Sequence, residues 1–461
     1  MTRPPFSRIL ILALVGSAII LAGTIIGVLA LWQPRSLDAF LPQPQTVALL
    51  ENVTREDIRM FTAQYPALQA VPMYEGFMNV GVVTLPDARQ GWVLSATEKD
   101  APLPSSNLRI DRQDFLLSDP ELQALLTSDE PRLRASQDFS LLTRSMRRDE
   151  RWIFVKEPGS TVLPALLRSM IPESRALIVM TKGDTVTLRI LGNTVVPGRR
   201  ASAAIPLLTP TPDVTLALGN PKEILESRLQ HLPEDERAVE IGMLTATVRQ
   251  LLGGQWSYSY DLLPFLRQES VLHWRAATGT GGLAFLFQSS MDDIRSGKAR
   301  LSELHERFRG SLLGTVVVDR PIEHGMRSTI LKSDPSQAED SVQNIRDWTV
   351  HTTRSGDQAL MSATRGRDIV ITNSREWLDQ VTGIGHDLPL PSRLGSPVAG
   401  GSLSPALVDR VIGDSGGLPL WQWIRQQLEA RNPVLWSIEA DSDILTLNLA
   451  NPPQTHYPAP R

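Results

Sequence analysis

Two hydrophobic periods alternate along this chain, and the switch between them keeps recurring. A short β-type apolar run leads to a turn with a capping residue, then to a segment with one apolar face at helical spacing. The pattern appears as TVALLENVTREDIRMF from Thr46, WIFVKEPGSTVLPALL from Trp152 and VTLALGNPKEILESRL from Val214. It returns as DIVITNSREWLDQV from Asp368 and, in looser form, as PVAGGSLSPALVDRVI from Pro397. Each example carries helix-start chemistry. Asn220 caps, Pro221 suits the first helical position and Glu223 completes a capping box. Asn373 with Glu376 and Thr54 with Asp57 repeat that spacing, and Ser404-Pro405 repeats the cap-plus-proline version.

Between these units lie alternating runs broken by Gly, Asp and Ser, which predict β-hairpins. ALIVMTKGDTVTLRIL turns at Lys182-Gly183-Asp184, VLHWRAATGTGGLAFLF at residues 279–282, and VLWSIEADSDILTLNLA at Asp441-Ser442-Asp443. FMNVGVVTLPDARQGWVL from Phe77 is a looser fourth case. Strand, helix and hairpin thus follow one another at 46–95, 152–191 and 214–287, with a diverged fourth copy over 368–450. The expected fold is α+β: antiparallel sheets with helices packed on one face, arising by internal duplication. Residues 194–212 are rich in Pro and small polar residues and mark a linker between two lobes, 46–193 and 213–450. The tail 451–461 reads as disordered.

One segment has neither period. Residues 9–32, ILILALVGSAIILAGTIIGVLALW, hold no charge and are long enough to cross a bilayer as a helix. The run ends in Leu31-Trp32-Gln33-Pro34 instead of a small-residue cleavage site, which predicts a retained anchor. Arg3 and Arg8 precede it, so the positive-inside rule puts residues 1–8 in the cytoplasm and Gln33–Arg461, beginning with the 33–45 spacer, outside. The expectation is a single-pass protein of the cytoplasmic membrane with a periplasmic or extracellular ectodomain. Gly23 and Gly27 form a small-xxx-small pattern that would suit a homodimer of such helices.

Composition narrows the chemistry. The chain of 461 residues has no cysteine, which excludes disulfides, thiolate metal sites and a Cys nucleophile. A net charge of −4 lacks the basic footprint that nucleic acid requires. With the strand-then-helix pattern on the page, and DLLPFL at residues 261–266 ahead of a hairpin, the chain resembles bacterial single-anchor envelope proteins known only as domains of unknown function. Such proteins have no assigned chemistry, so the resemblance carries over no site residues. An envelope protein or polymer as partner is instead the functional reading of the arginine-rich segment 132–151, which would meet an anionic polymer, lipid headgroups or an acidic partner.

Gly413-Asp414-Ser415-Gly416-Gly417 is similar to the nucleophile loop of chymotrypsin-like serine proteases, where backbone N–H groups form an oxyanion hole. The rest of that family's pattern is missing. There is no Ala-Ala-His-Cys sequence, Leu418 stands where the family has proline, and Ser415 falls between helices predicted at 405–412 and 419–430. A helix cap at Gly413 and a linker account for the same residues. Of His231, His273, His305, His324, His351, His386 and His456, no two have a helical ligand spacing, so no zinc site is predicted. His273, beside Trp274, reads as a packed strand residue, and His305, between Glu303 and Glu306, as part of a solvated helix face. No phosphate-binding loop is present, and residues 279–282 read as a hairpin turn. Arg132, Arg134, Arg144, Arg147, Arg148 and Arg151 form one basic segment, balanced by Asp138, Asp149 and Glu150. These readings converge on a binding or scaffold protein without catalysis, metal or cofactor. The alternatives are a serine hydrolase using Ser415, or an enzyme with a site between the lobes.

Overall fold

The structure is a computed structural model. It describes residues 36–452 less short stretches, the longest being 97–106, 159–170, 194–200 and 390–396. The chain divides into two compact units: Met1–Ser140 with Met146–Asp149, and Leu141–Ser145 with Glu150–Arg461.

The first unit is built on β1 (Thr46–Val53), β2 (Met78–Thr84), β3 (Gln90–Ala96), β4 (Leu108–Ile110) and β5 (Gln113–Leu117). They pair antiparallel in the order β1-β2-β3-β5-β4. The Thr54 capping box with Asp57 starts the helix Arg55–Phe61, as the sequence predicts. That helix buries Ile58 and Phe61, and Leu49, Leu50, Val80 and Leu94 of the sheet are buried as well. Asn52 breaks the register of β1 at a φ of 55°, a left-handed position that asparagine tolerates, and its N–H donates to Asn79 Oδ1 at 2.9 Å.

The second unit holds β6 (Arg151–Lys156), β7 (Ser174–Lys182), β8 (Thr185–Gly192), β9 (Ala204–Pro206), β10 (Val214–Leu218), β11 (Ser270–Arg275) and β12 (Ala284–Ser290). It continues with β13 (Thr315–Pro321), β14 (Arg327–Ser333), β15 (Glu339–Ile345), β16 (Trp348–Ser355), β17 (Gln358–Arg365) and β18 (Asp368–Thr372). The last four are β19 (Asp387–Pro389), β20 (Ala399–Leu403), β21 (Val434–Asp441) and β22 (Ile444–Ala450). Thirteen of these strands form one antiparallel ladder, β6-β7-β8-β22-β21-β20-β10-β11-β12-β18-β17-β16-β15. The other four make the separate pairs β13-β14 and β9-β19. Sequence-distant strands meet at β8-β22 and β10-β20. The second joint depends on Gly401, where a Cβ would lie 1.7 Å from the Thr215 carbonyl oxygen.

The expected α+β fold of two lobes is therefore corrected: the described chain is mostly antiparallel sheet, and most of its helices are short connections laid on it. The segments with helical period between strands run only 7 to 11 residues in Arg55–Phe61, Arg375–Val381 and Pro221–His231, so they cover connections and form no layer of their own. The units separate near residues 141–150. Within 194–212, Ala204–Pro206 is a strand paired with Asp387–Pro389. Strands from Asp368 and from Pro397 also part company. β18 completes a meander with β15–β17, whereas β20 precedes the helices Pro405–Asp414 and Pro419–Gln427 and pairs with β21.

The single-pass anchor and the membrane localisation drawn from it are likewise corrected. Among the described residues no helix is long and apolar enough to cross a membrane; the two longest, Glu234–Leu252 and Ile294–Leu312, carry several charges each. Residues 9–32, with Gly23 and Gly27, lie outside the described residues.

Candidate functional site

The densest set of chemistry-bearing side chains lies in the second unit, under the helix Ile294–Leu312. Its amphipathic pattern places Leu301, Leu304 and Phe308 on an apolar patch of Phe285, Leu360, Ile369 and Ile371. His305 shares that buried face and is 2% exposed, which corrects its reading as part of a solvated surface. Three adjacent strands supply its partners. By register, Asp340 of β15 lies opposite Thr353 of β16, and His351 of β16 lies opposite Ser362 of β17, so all four share one face.

The His305 tautomer follows by reasoning outward from the carboxylate. Thr353 donates its hydroxyl to Asp340 Oδ1. Thr353 Oγ1 is then the acceptor for His305 Nδ1, 2.8 Å away. The bare Nε2 in turn accepts from the Ser362 hydroxyl at 2.8 Å. His351 stacks on His305 with ring centroids 3.7 Å apart, and its Nε2 is 3.7 Å from Asp340 Oδ1. Arg309 Nη1 pairs with Asp340 Oδ2 at 3.3 Å. Burial, helped by the neighbouring His351, pushes the His305 imidazole down to about 4, so it is neutral at pH 7.

The direction Ser362 to His305 to Thr353 to Asp340 is that of a general-base relay with a hydroxyl inserted before the carboxylate. Ser362 is 3% exposed, however, and an electrophile needs a path to its oxygen. The arrangement holds a neutral base and a donor serine in a sealed seam.

A second feature is a cavity of about 410 Å³ on the opposite face of the same strands. Leu208, Val271, Val370 and Val381 give it an apolar lining, and Glu269, Gln288, Arg365, Asp368 and Gln380 a polar one. Much of that polar lining is already engaged. Arg365 lies over the Trp348 ring at 4.6 Å and pairs with Asp347 at 3.5 Å and Asp368 at 3.4 Å. Gln380 Oε1 accepts from the Thr209 N–H at 2.7 Å while its amide donates to the Thr209 carbonyl. Close by, His273 is fully buried as predicted, with Nδ1 3.0 Å from Thr215 Oγ1; burial pushes it down to about 3.

The remaining predicted positions fall elsewhere. Ser415, residues 279–282, His324, His386, His456, Arg147 and Arg148 lie outside the described residues. Arg132 is engaged structurally, donating to the carbonyls of Phe40, Leu125, Leu126 and Ser128. Among the described residues no group of three or more His, Asp and Glu side chains is placed to hold a metal ion. Asn373 does not cap its helix. Ser374 does, because the Asn373 amide bridges to β12 and its approach, accepting from the Phe285 N–H at 2.8 Å and donating to the Leu283 carbonyl at 2.6 Å.

Compared with known proteins, the chain matches no family model, no curated protein and no solved structure.

Proposed function

We propose that this protein is a binding or scaffold protein that presents a long antiparallel sheet to a partner. The observation that carries this reading is the thirteen-strand ladder ending in β15. Six of the seven β15 residues are exposed, Val342 is 66% exposed, and among the described residues no strand pairs with its outer edge. An open edge of this kind is a template for an added strand. The sealed position of Ser362 favours binding over hydrolysis.

Two measurements test the proposal. A photo-crosslinker at the exposed Gln343 should capture one defined partner, and Val342→Lys should suppress capture, because a charge at an edge discourages strand addition. Equal capture with and without the lysine would remove β15 from the reading. A fluorophosphonate probe should leave the folded protein unlabelled. Labelling that disappears in Ser362→Ala or in Ser415→Ala would make it a serine hydrolase instead.

A further inference from the structure

The seam around His305 is satisfied in one protonation state only. Asp340 takes the Thr353 proton, Thr353 takes the Nδ1 proton, and the bare Nε2 takes the Ser362 proton. A proton added at Nε2 turns an acceptor into a donor. Ser362 must then swing its hydroxyl away, in a place where it is buried. The cation so formed also faces the His351 ring at 3.7 Å.

The charged groups facing His305 can be taken element by element. β15 contributes Asp340, β16 contributes His351, and the helix's own last turns contribute Arg309. From β17 comes the uncharged Ser362. With His305 protonated, the one carboxylate, Asp340, faces that new cation while already paired with Arg309. The rest of the contact is apolar: Leu301, Leu304 and Phe308 against Leu360, Ile369 and Ile371, and it offers no further counter-charge.

We propose that His305 is an acid-operated latch, which holds the helix Ile294–Leu312 on β15–β17 while its ring is neutral and releases it when the ring is protonated. Burial keeps His305 down to about 4, against 6.5 for the free side chain, so the released state takes up protons that the latched state refuses. The latch is therefore closed above pH 6.5 and weakens as the pH falls toward 4. The latch does not depend on β15 taking a partner.

Hydrogen exchange of the full chain, corrected for the intrinsic pH dependence of exchange, reads this directly. Between pH 7.5 and pH 5.0 the opening equilibrium of amides in 294–312 and 339–345 should rise on the order of thirtyfold. The β7–β8 hairpin should be unchanged over that range. His351→Gln removes the like charge and should shrink the rise, and His305→Gln should flatten it. Should His305→Gln fail to fold, histidine C2–H exchange on the wild type still decides the matter by locating the His305 titration near 4. Three results would overturn the latch: equal protection of the helix at both pH values, a His305 that titrates near 6.5 with the helix still protected, or a rise in 294–312 that persists undiminished in His305→Gln.

Discussion

In each unit a buried ionisable side chain is held by hydroxyl partners, Glu51 in the first and His305 in the second, and the two respond to pH in opposite directions. In the first unit Glu51 of β1, 4% exposed, accepts from the Ser36 hydroxyl and, at 3.1 Å, from the Leu37 N–H. Burial is the main force on it and raises it to about 7; Asp38 adds to the rise, while the hydrogen bonds oppose it. In the second unit burial lowers His305 to about 4. The physics is the same, since removal from water penalises the charged form of either group. Only the sign of the charge differs. One unit is thus tuned toward acid and the other toward neutral pH, within a chain whose net charge of −4 reveals neither.

The largest expected effect is acid loosening of the second unit. Unfolded histidines take up protons near 6.5, whereas folded His305 and His273 wait until about 4 and about 3. Their contribution is fully present above 6.5 and is lost as the pH falls through that window. Each tenfold drop in proton affinity on folding is worth about 1.4 kcal/mol, so the two together contribute several kcal/mol. Exchange protection of the strands from β10 to β18 should fall steeply between pH 6.5 and 4 while the first unit holds. If both units loosened together, the contrast would be broken.

Next in size is Glu51→Gln. Folded Glu51 keeps its proton up to about 7 and the unfolded carboxyl loses it near 4.5, so its stabilisation is present below 4.5 and lost as the pH rises to 7. The amide stays neutral at every pH and keeps an acceptor for Ser36 and Leu37. At pH 8 the variant should be more stable than wild type by about 3 kcal/mol, and near pH 4 the two should match. Protection of amides in 46–53 as a function of pH measures both limits. A variant that is weaker at pH 8 would mean that the carboxylate is paired in a way burial does not describe.

How far the sequence foretold this picture depends on the distance over which each feature is specified. The capping box at Thr54, the cap at Asn220 and the turn at Lys182-Gly183-Asp184 are set by neighbours within a few residues, and they are legible. The joints β8-β22 and β10-β20 are set by sheet edges far apart in sequence, and no local period reports them. His305 shows the same limit. Glu303 and Glu306 make its helix look solvated, and the hydroxyls that hold its ring stand 48 and 57 residues further on. Glu51 escapes a sequence reading because a lone carboxylate in TVALLENV gives no sign of the Ser36 turn that covers it. A charged residue inside an apolar strand is the available signal.

A third prediction supplies a control that does not titrate. Arg132 donates to four backbone carbonyls in the first unit, including Leu125 at 3.2 Å and Leu126 at 3.1 Å in the last turn of the helix Glu121–Thr127. Arg132→Met keeps much of the apolar stem and strips those donors, at a cost of about 2 kcal/mol. A guanidinium does not change charge between pH 4 and 8, so the cost should be the same at both ends. Protection of residues 121–127 in the variant checks it. A cost that varied with pH would show that Arg132 is coupled to a titrating neighbour, and the opposition between Glu51 and His305 would need a further participant.

The smallest expected effect compares a helix cap in each unit. Thr54 accepts from the Asp57 N–H at 3.4 Å, while its own N–H and hydroxyl donate to Asp57 Oδ2 at 2.7 Å and 2.9 Å. Ser374 accepts from the Trp377 N–H at 3.4 Å, and its side chain makes no reciprocal bond with Glu376 in the described contacts. Thr54→Ala deletes one cap acceptor and one donor, so it should cost about 1 to 2 kcal/mol, against about 1 kcal/mol or less for Ser374→Ala. The helix in the second unit also has an anchor that the mutation leaves alone, since Trp377 and Leu378 are buried and Trp377 Nε1 donates to the Pro210 carbonyl at 2.9 Å. Chemical denaturation followed by exchange over 55–61 and 375–381 separates the two costs. Equal losses would mean that the reciprocal bonds around Thr54 add nothing beyond a single cap, and that the first unit's helix owes its place to Ile58 and Phe61 alone.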